Sequence, residues 1–241
     1  TIGGAIISFI LSVIAIVANF VDMGTFGDFM INYSYIFHFV TALGMVTLFM
    51  FVDFNTISPG ANDNLTGTYA AVCALRMLDM AGVDFENTEV CAMITDGEEA
   101  GLRGCKSWAK NHYDEYVNSG VETVVLCVDT LTDREYLRVY NKDMTGTVKN
   151  NQQFSQLVMD ASKHAGHDDI EFSSVVFGSS DAAAFSQAGI TATCLAAMDP
   201  RPADYYHNRR DTADRLVPET IKTGFDVIIS TILNFDEKGL N

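Results

Sequence analysis

Over residues 2–52 the chain is almost unbrokenly apolar, and no Lys or Arg occurs before Arg76. Residues 2–21, IGGAIISFILSVIAIVANFV, hold no charged side chain and are long enough to cross a bilayer as a helix. Residues 29–52, FMINYSYIFHFVTALGMVTLFMFV, form a second such run, with Tyr33 and Tyr35 near one end, where interfacial aromatics belong. A short loop with Asp22, Gly24, Gly27 and Asp28 joins them. The pattern predicts a two-helix transmembrane hairpin over residues 1–54. A signal peptide fits less well, because no basic stretch leads and a second apolar run follows. His38, inside the second run, reads as a packed or interfacial residue rather than a ligand.

From residue 55 onward the pattern alternates. Helical spacing of apolar residues covers 66–81, 99–116, 152–165, 181–187 and 218–235. Short β-branched or apolar runs at 88–94, 121–128, 136–140, 172–176 and 191–195 read as strands. The run VETVVLCV at 121–128 is nearly continuous, as a strand buried on both faces would be. This alternation predicts one α/β domain over residues 55–241, a three-layer α/β/α sandwich around a mostly parallel mixed sheet.

Composition changes the picture in three places. The net charge of −16 argues against nucleic acid as a partner, since no basic surface offsets phosphate repulsion. The five cysteines show no paired spacing, and Cys91 and Cys127 lie in apolar runs, so free buried thiols and a reducing compartment are expected. The hairpin loop is acidic and lacks Lys and Arg, which marks it as the translocated part. Both flanks of a multi-pass membrane protein, the α/β domain included, are then expected on the cytoplasmic side.

Open α/β sheets collect functional groups where strands end. Those positions hold Asp63 in the loop SPGANDNLTG, Glu98 and Glu99 in ITDGEEAGLRG, Asp129 at the end of VVLCVD, and His207 in DYYHNRRDTAD. Each alone has a plain explanation: a helix start, a favourable charge in a first turn, a turn residue, a surface histidine. Together they form a set of carboxylate oxygens and an imidazole nitrogen, which is what a zinc site needs. Adjacent glutamates can divide the work, one facing an ion and the other serving as general base. A lone Asp between small turn residues can bridge two ions.

These motifs, in this order, resemble the co-catalytic di-zinc aminopeptidases, the family that includes leucyl aminopeptidases, aminopeptidase S and glutamate carboxypeptidase. The likeness covers residues 58–216, adding GSSDAAAFSQAGITA and YYHNRRDTADRL to the segments above. It implies a zinc exopeptidase that releases N-terminal residues from peptides. Asp63 would bridge two Zn2+ ions, Glu99 and His207 would complete one, and Asp129 would bind the other. Glu98 would be the general base, with Ser180 and Asp181 supporting the site.

One departure stands out. The family carries a His-x-Asp ligand motif before the Gly-Ala-Asn-Asp loop, and here the nearest match, FVD at 51–53, has Phe51 in place of His. Either the motif and its strand lie upstream of Thr1, with the hairpin inserted between, or the ligand is absent and the site impaired. The first is the expectation carried forward. Two other functions remain open: an inactive binding module on the peptidase fold, and a single-zinc acyltransferase like the glutaminyl cyclases.

Overall fold

In a computed structural model of the chain, residues 2–51, 57–176, 178–201 and 203–240 are described. Two compact units divide it, Thr1–Ile57 and Ser58–Asn241. The boundary expected between residues 54 and 55 lies outside the described residues.

The first unit is a pair of helices, α1 (Ile2–Ala18) and α2 (Gly24–Phe51). The Asp22 carboxylate turns the chain between them by accepting the Gly24 N–H at 2.8 Å. His38 is packed between the helices, with Nδ1 2.6 Å from Ser8 Oγ and Nε2 3.2 Å from Ser12 Oγ. The expected membrane spans are not supported. Among the described residues no helix is long and apolar enough to cross a membrane. At 1.5 Å per residue the 17 residues of α1 reach about 25 Å, short of a hydrocarbon core of about 30 Å. Helix α2 has the length, but Asn32, Ser34, His38 and Thr41 interrupt its apolar face.

The second unit is built on a sheet of five strands among the described residues: β1 (Val124–Asp129), β2 (Leu137–Asp143), β3 (Val148–Lys149), β4 (Glu171–Ser174) and β5 (Thr191–Ala197). Strand β1 pairs parallel with β5, and β2 pairs antiparallel with β5. The other side of β2 takes β4 in parallel, and β3 pairs antiparallel with the end of β2. The sheet is therefore mixed in equal measure, not mostly parallel. One antiparallel pairing comes from β2 running against β5, the other from the short turn that joins β2 to β3.

Period-2 alternation sends side chains to two layers. Leu137, Val139 and Leu195 face a core shared with Ala70 and Ala74 of α3 (Gly67–Met80), Phe154 and Val158 of α5 (Gln152–His164), and Val227 of α7 (Pro218–Lys238). Tyr140, Ala192, Cys194 and Ala196 face the opposite core, with Cys105 and Ala109 of α4 (Arg103–Tyr116) and Ala182 to Phe185 of α6 (Asp181–Gln187). Helices thus cover both faces of the sheet.

Three local expectations change. Residues 88–94 form no strand ladder among the described residues, and Cys91 is exposed. Strand β1 is half-buried along its whole length, because among the described strands it pairs only with β5. Helix α4 starts at Arg103 rather than residue 99: Gly97, Gly101 and Leu102 all take positive φ, so 98–102 is a turn. The cysteines are unpaired, with Cys105 and Cys194 buried.

Candidate functional site

The loop between Gly60 and Gly67 wraps over the C-terminal end of β1, and its two asparagines fix it there. The Asn62 side-chain oxygen accepts the N–H groups of Leu131 and Thr132 at 3.0 and 3.1 Å, and its amide donates to the Tyr205 hydroxyl at 3.1 Å. Asn64 donates to the Val128 carbonyl at 2.9 Å and accepts from Gly67 and Thr130 N–H. Both residues satisfy backbone groups at the end of the strand and just beyond it. Asp63, between them, is free to point away from this network.

From the other side comes Asp211, fully buried, which accepts the N–H of Asn62 at 2.8 Å and of Asp63 at 2.9 Å. Asp211 lies in the quoted motif YYHNRRDTADRL yet was not singled out there as a site residue. Its signal is spacing: an Asp four positions after the His that the same segment brings to Asp63. The other contributors beyond the sequence-based set are Asn62, Asn64 and Tyr206, whose ring stacks on His207 with centroids 3.7 Å apart.

Three of the expected residues converge. His207 Nε2 lies 3.2 Å from Asp63 Oδ2 and 2.7 Å from Glu99 Oε1. One donor atom from each of the three lies within 4.8 Å of the others. His207 reaches this point from a backbone with φ 55°, a left-handed turn that Asn208 closes by donating its N–H to Tyr205 O. Its proximity to the Asp63 and Glu99 carboxylates raises the imidazole to about 10, which two oxygen anions seeking a cation would do.

Glu98 and Asp129 line the same small cavity as Asp63 and Glu99. Burial, then the neighbouring Glu99, Asp181 and Asp63 carboxylates, push Glu98 up to about 7. Asp129 is raised well above the carboxylate range by burial first and by Asp63 next. Its Oδ1 is buried with no hydrogen-bond partner among the described residues. An unpartnered buried carboxylate oxygen beside an acidic cluster is costly without a cation. The donor set, oxygen with one imidazole nitrogen, fits zinc.

Ser180 and Asp181 act from behind. The Ser180 hydroxyl starts α6, accepting Ala182 N–H, and donates to buried Asp143 at 2.6 Å. Asp181 accepts from Thr95 Oγ at 2.8 Å, while its Oδ1 is also buried without a partner among the described residues. It contributes negative potential to Glu98 and Asp129.

This arrangement accords with what the chain matches. The family model of Peptidase family M28 covers residues 45–232, well over half of the sequence. The chain belongs to peptidase family M28. Its match opens at residue 45, so it includes 51–53 and part of the run read as a second membrane span. That gives no support to a hairpin inserted between an upstream His-x-Asp strand and Ser58. Val52 and Asp53 themselves lie outside the described residues.

Among solved structures, the LapA aminopeptidase of Legionella pneumophila is similar, with TM-score 0.62 and 18% identity over 75% of this chain and 48% of that one. BSAP, a zinc aminopeptidase from Bacillus subtilis, gives 0.58 and 23% over 73% and 42%. A glutaminyl cyclase from an Acidobacteriales bacterium gives 0.56 and 16% over 75% and 63%. These identities show a shared fold. The chain spans about half or less of the length of these aminopeptidases. No curated relative matches.

Proposed function

We propose that this M28 chain is a zinc-dependent aminopeptidase, hydrolysing the N-terminal peptide bond of peptides. The observation that carries the proposal is the convergence of Asp63, Glu99 and His207 beside a Glu98 carboxyl raised to about 7. Asp63, Glu99 and His207 would hold one ion, and Asp129, across Asp63, would hold a second. Bound zinc supplies a Lewis acid that polarises the scissile carbonyl and acidifies water.

The chain's own residues do the rest. Glu98 is poised near neutrality, where a carboxylate can take a proton from water and return it to the leaving amine. Burial sets this first, and the Glu99, Asp181 and Asp63 carboxylates add to it by repelling its charged form; a cation on Glu99 and Asp63 would relieve their part. Tyr206 holds the His207 ring by stacking, and Asn62, Asn64 and Asp211 hold the Asp63 backbone. The site lies at the C-terminal ends of β1 and β5, where the parallel pair opens.

The test is a pair of peptides differing only in a free or an acetylated N-terminus, incubated with the zinc-loaded protein. Release of the first residue from the free peptide alone supports the proposal. Cleavage of both, or of neither, counts against it.

A second reading is favoured by one observation: among the described residues a single cluster of three donors is present, Asp63, Glu99 and His207. A one-ion site of this kind suits cyclisation of N-terminal glutamine. A peptide beginning with glutamine separates the two, since cyclisation releases ammonia and leaves the peptide bond intact.

A further inference from the structure

Beside the acidic cavity lies a larger one of about 290 Å³, open to solvent. Tyr140, Val175, Met198 and Tyr206 line both, so the two spaces share a wall. A peptide whose terminal bond lay against Asp63 and Glu98 would put an adjacent side chain in the larger cavity. Most of its wall is apolar. Among its described lining residues there is one Lys or Arg, and it is Arg138.

Arg138 stands on β2 two positions before Tyr140, so both project to the same face of the sheet. Its side chain is only about a quarter exposed, at 26%. A guanidinium carries five N–H donors. One of them, on Nη1, is taken by the Leu137 carbonyl at 2.8 Å. The Glu171 carboxylate reaches only to 4.0 Å of Nε and is itself 75% exposed. The cavity's other charged residue, Asp199, is already engaged, accepting the Arg201 N–H at 2.8 Å. Among the described residues Arg138 thus keeps donors without a partner in a cavity whose wall is mostly apolar, in a chain whose net charge is −16.

We infer that this cavity selects substrates with an acidic side chain, Glu above all, with Arg138 as the residue that determines the specificity. The inference rests on the peptidase function proposed above. The aliphatic stem of Glu would pack on Met198 and Val175, and its carboxylate would take the free edge of the guanidinium. Such a charge-assisted, two-point contact is the geometry for which Arg, and not Lys, is suited. Neutral Gln has the same length and shape but only one oxygen and no charge.

The experiment has two parts, so that failure of the proposed function and failure of this inference read differently. The first is calorimetric titration of the full chain, with zinc, with free L-glutamate and L-glutamine. Glutamate is expected to bind at least about tenfold more tightly, and Arg138→Gln to abolish the difference. Equal binding of the two by the unaltered chain, or a difference that survives Arg138→Gln, overturns the inference whether or not the protein hydrolyses peptides. The second is hydrolysis of glutamyl, glutaminyl and leucyl p-nitroanilides. The glutamyl substrate is expected to have the highest kcat/KM, and Arg138→Gln to lower the ratio of the glutamyl to the leucyl value about tenfold or more. A leucyl preference, or an equal fall on every substrate, overturns it. Arg138→Lys is expected to restore only part of the glutamyl rate, and full restoration would contradict the two-point contact.

Discussion

The buried Asp211 carboxylate holds Asp63 by its backbone, one oxygen on the N–H of Asn62 and the other on the N–H of Asp63. The two residues are far apart in sequence, yet this clasp decides where the Asp63 side chain can point. It also ties that side chain to His207, since Asp211 lies on the same loop.

Replacing Asp211 with Asn swaps one acceptor oxygen for an amine that faces a backbone N–H. The expected cost in stability is about 1–3 kcal/mol, the penalty of a buried donor left without a partner. Zinc affinity is expected to fall by about 10- to 100-fold, as when a group that orients a ligand is lost. Urea unfolding and zinc competition measure the two separately. Unchanged zinc affinity would show that Asp63 needs no such clasp.

Gly67 is the point where the start of α3 meets the end of β1. A Cβ there would lie 2.3 Å from the Val128 carbonyl oxygen and 2.5 Å from the Asn64 side-chain oxygen. Neither can yield easily, since Asn64 is bonded to that same carbonyl. Gly67→Ala is expected to destabilise the protein by about 2 kcal/mol or more through overpacking. Chemical denaturation checks this, and a loss under about 0.5 kcal/mol would contradict the close contact.

Stability of the zinc-free protein is expected to fall as pH rises. Glu98 goes from an ordinary 4.5 to about 7 on folding, so it binds its proton more tightly in the folded state. Its contribution is whole below 4.5 and is lost as pH climbs through 7. His207 acts in the same sense: raised from 6.5 to about 10, it contributes fully below 6.5 and loses that contribution as pH approaches 10. Both groups are partly in contact with solvent, so screening leaves about 1–3 kcal/mol between pH 5 and 8. Melting temperatures with chelator should drop across that range, and saturating zinc should flatten the drop. A zinc-free protein that melts higher at pH 8 than at pH 5 would contradict the electrostatics described.

The helices and most strands were legible because their apolar spacing is regular: α3, α5, α6, α7 and β5 lie within a few residues of where periodicity puts them. What periodicity could not show is partnership. The apolar run at β1 reads as buried on both faces, but burial depends on how many neighbours a strand finds. The run at 88–94 has strand composition and no ladder for the same reason. Two apolar runs near the start read as membrane spans by length and lack of charge, yet α1 stops at Ala18, before the run does, and polar side chains dilute α2. The residue types of the candidate site were legible in the sequence. Its supports were less so, because Asn62 acts on backbone groups, which leave no side-chain signature, and Asp211 shows only its spacing from His207.

The most direct test of the central claim is Glu98→Gln, assayed for zinc content and for hydrolysis of a peptide with a free N-terminus. The substitution keeps the shape of the side chain and leaves Asp63, Glu99, Asp129 and His207 in place, but cannot accept a proton. The expected result is zinc bound as in the unaltered protein and a rate lower by about 10²–10⁴-fold. A variant that binds zinc and still cleaves within about tenfold of the unaltered rate would contradict the assignment of Glu98 as the base. An unaltered chain that binds zinc and cleaves nothing would contradict the peptidase itself.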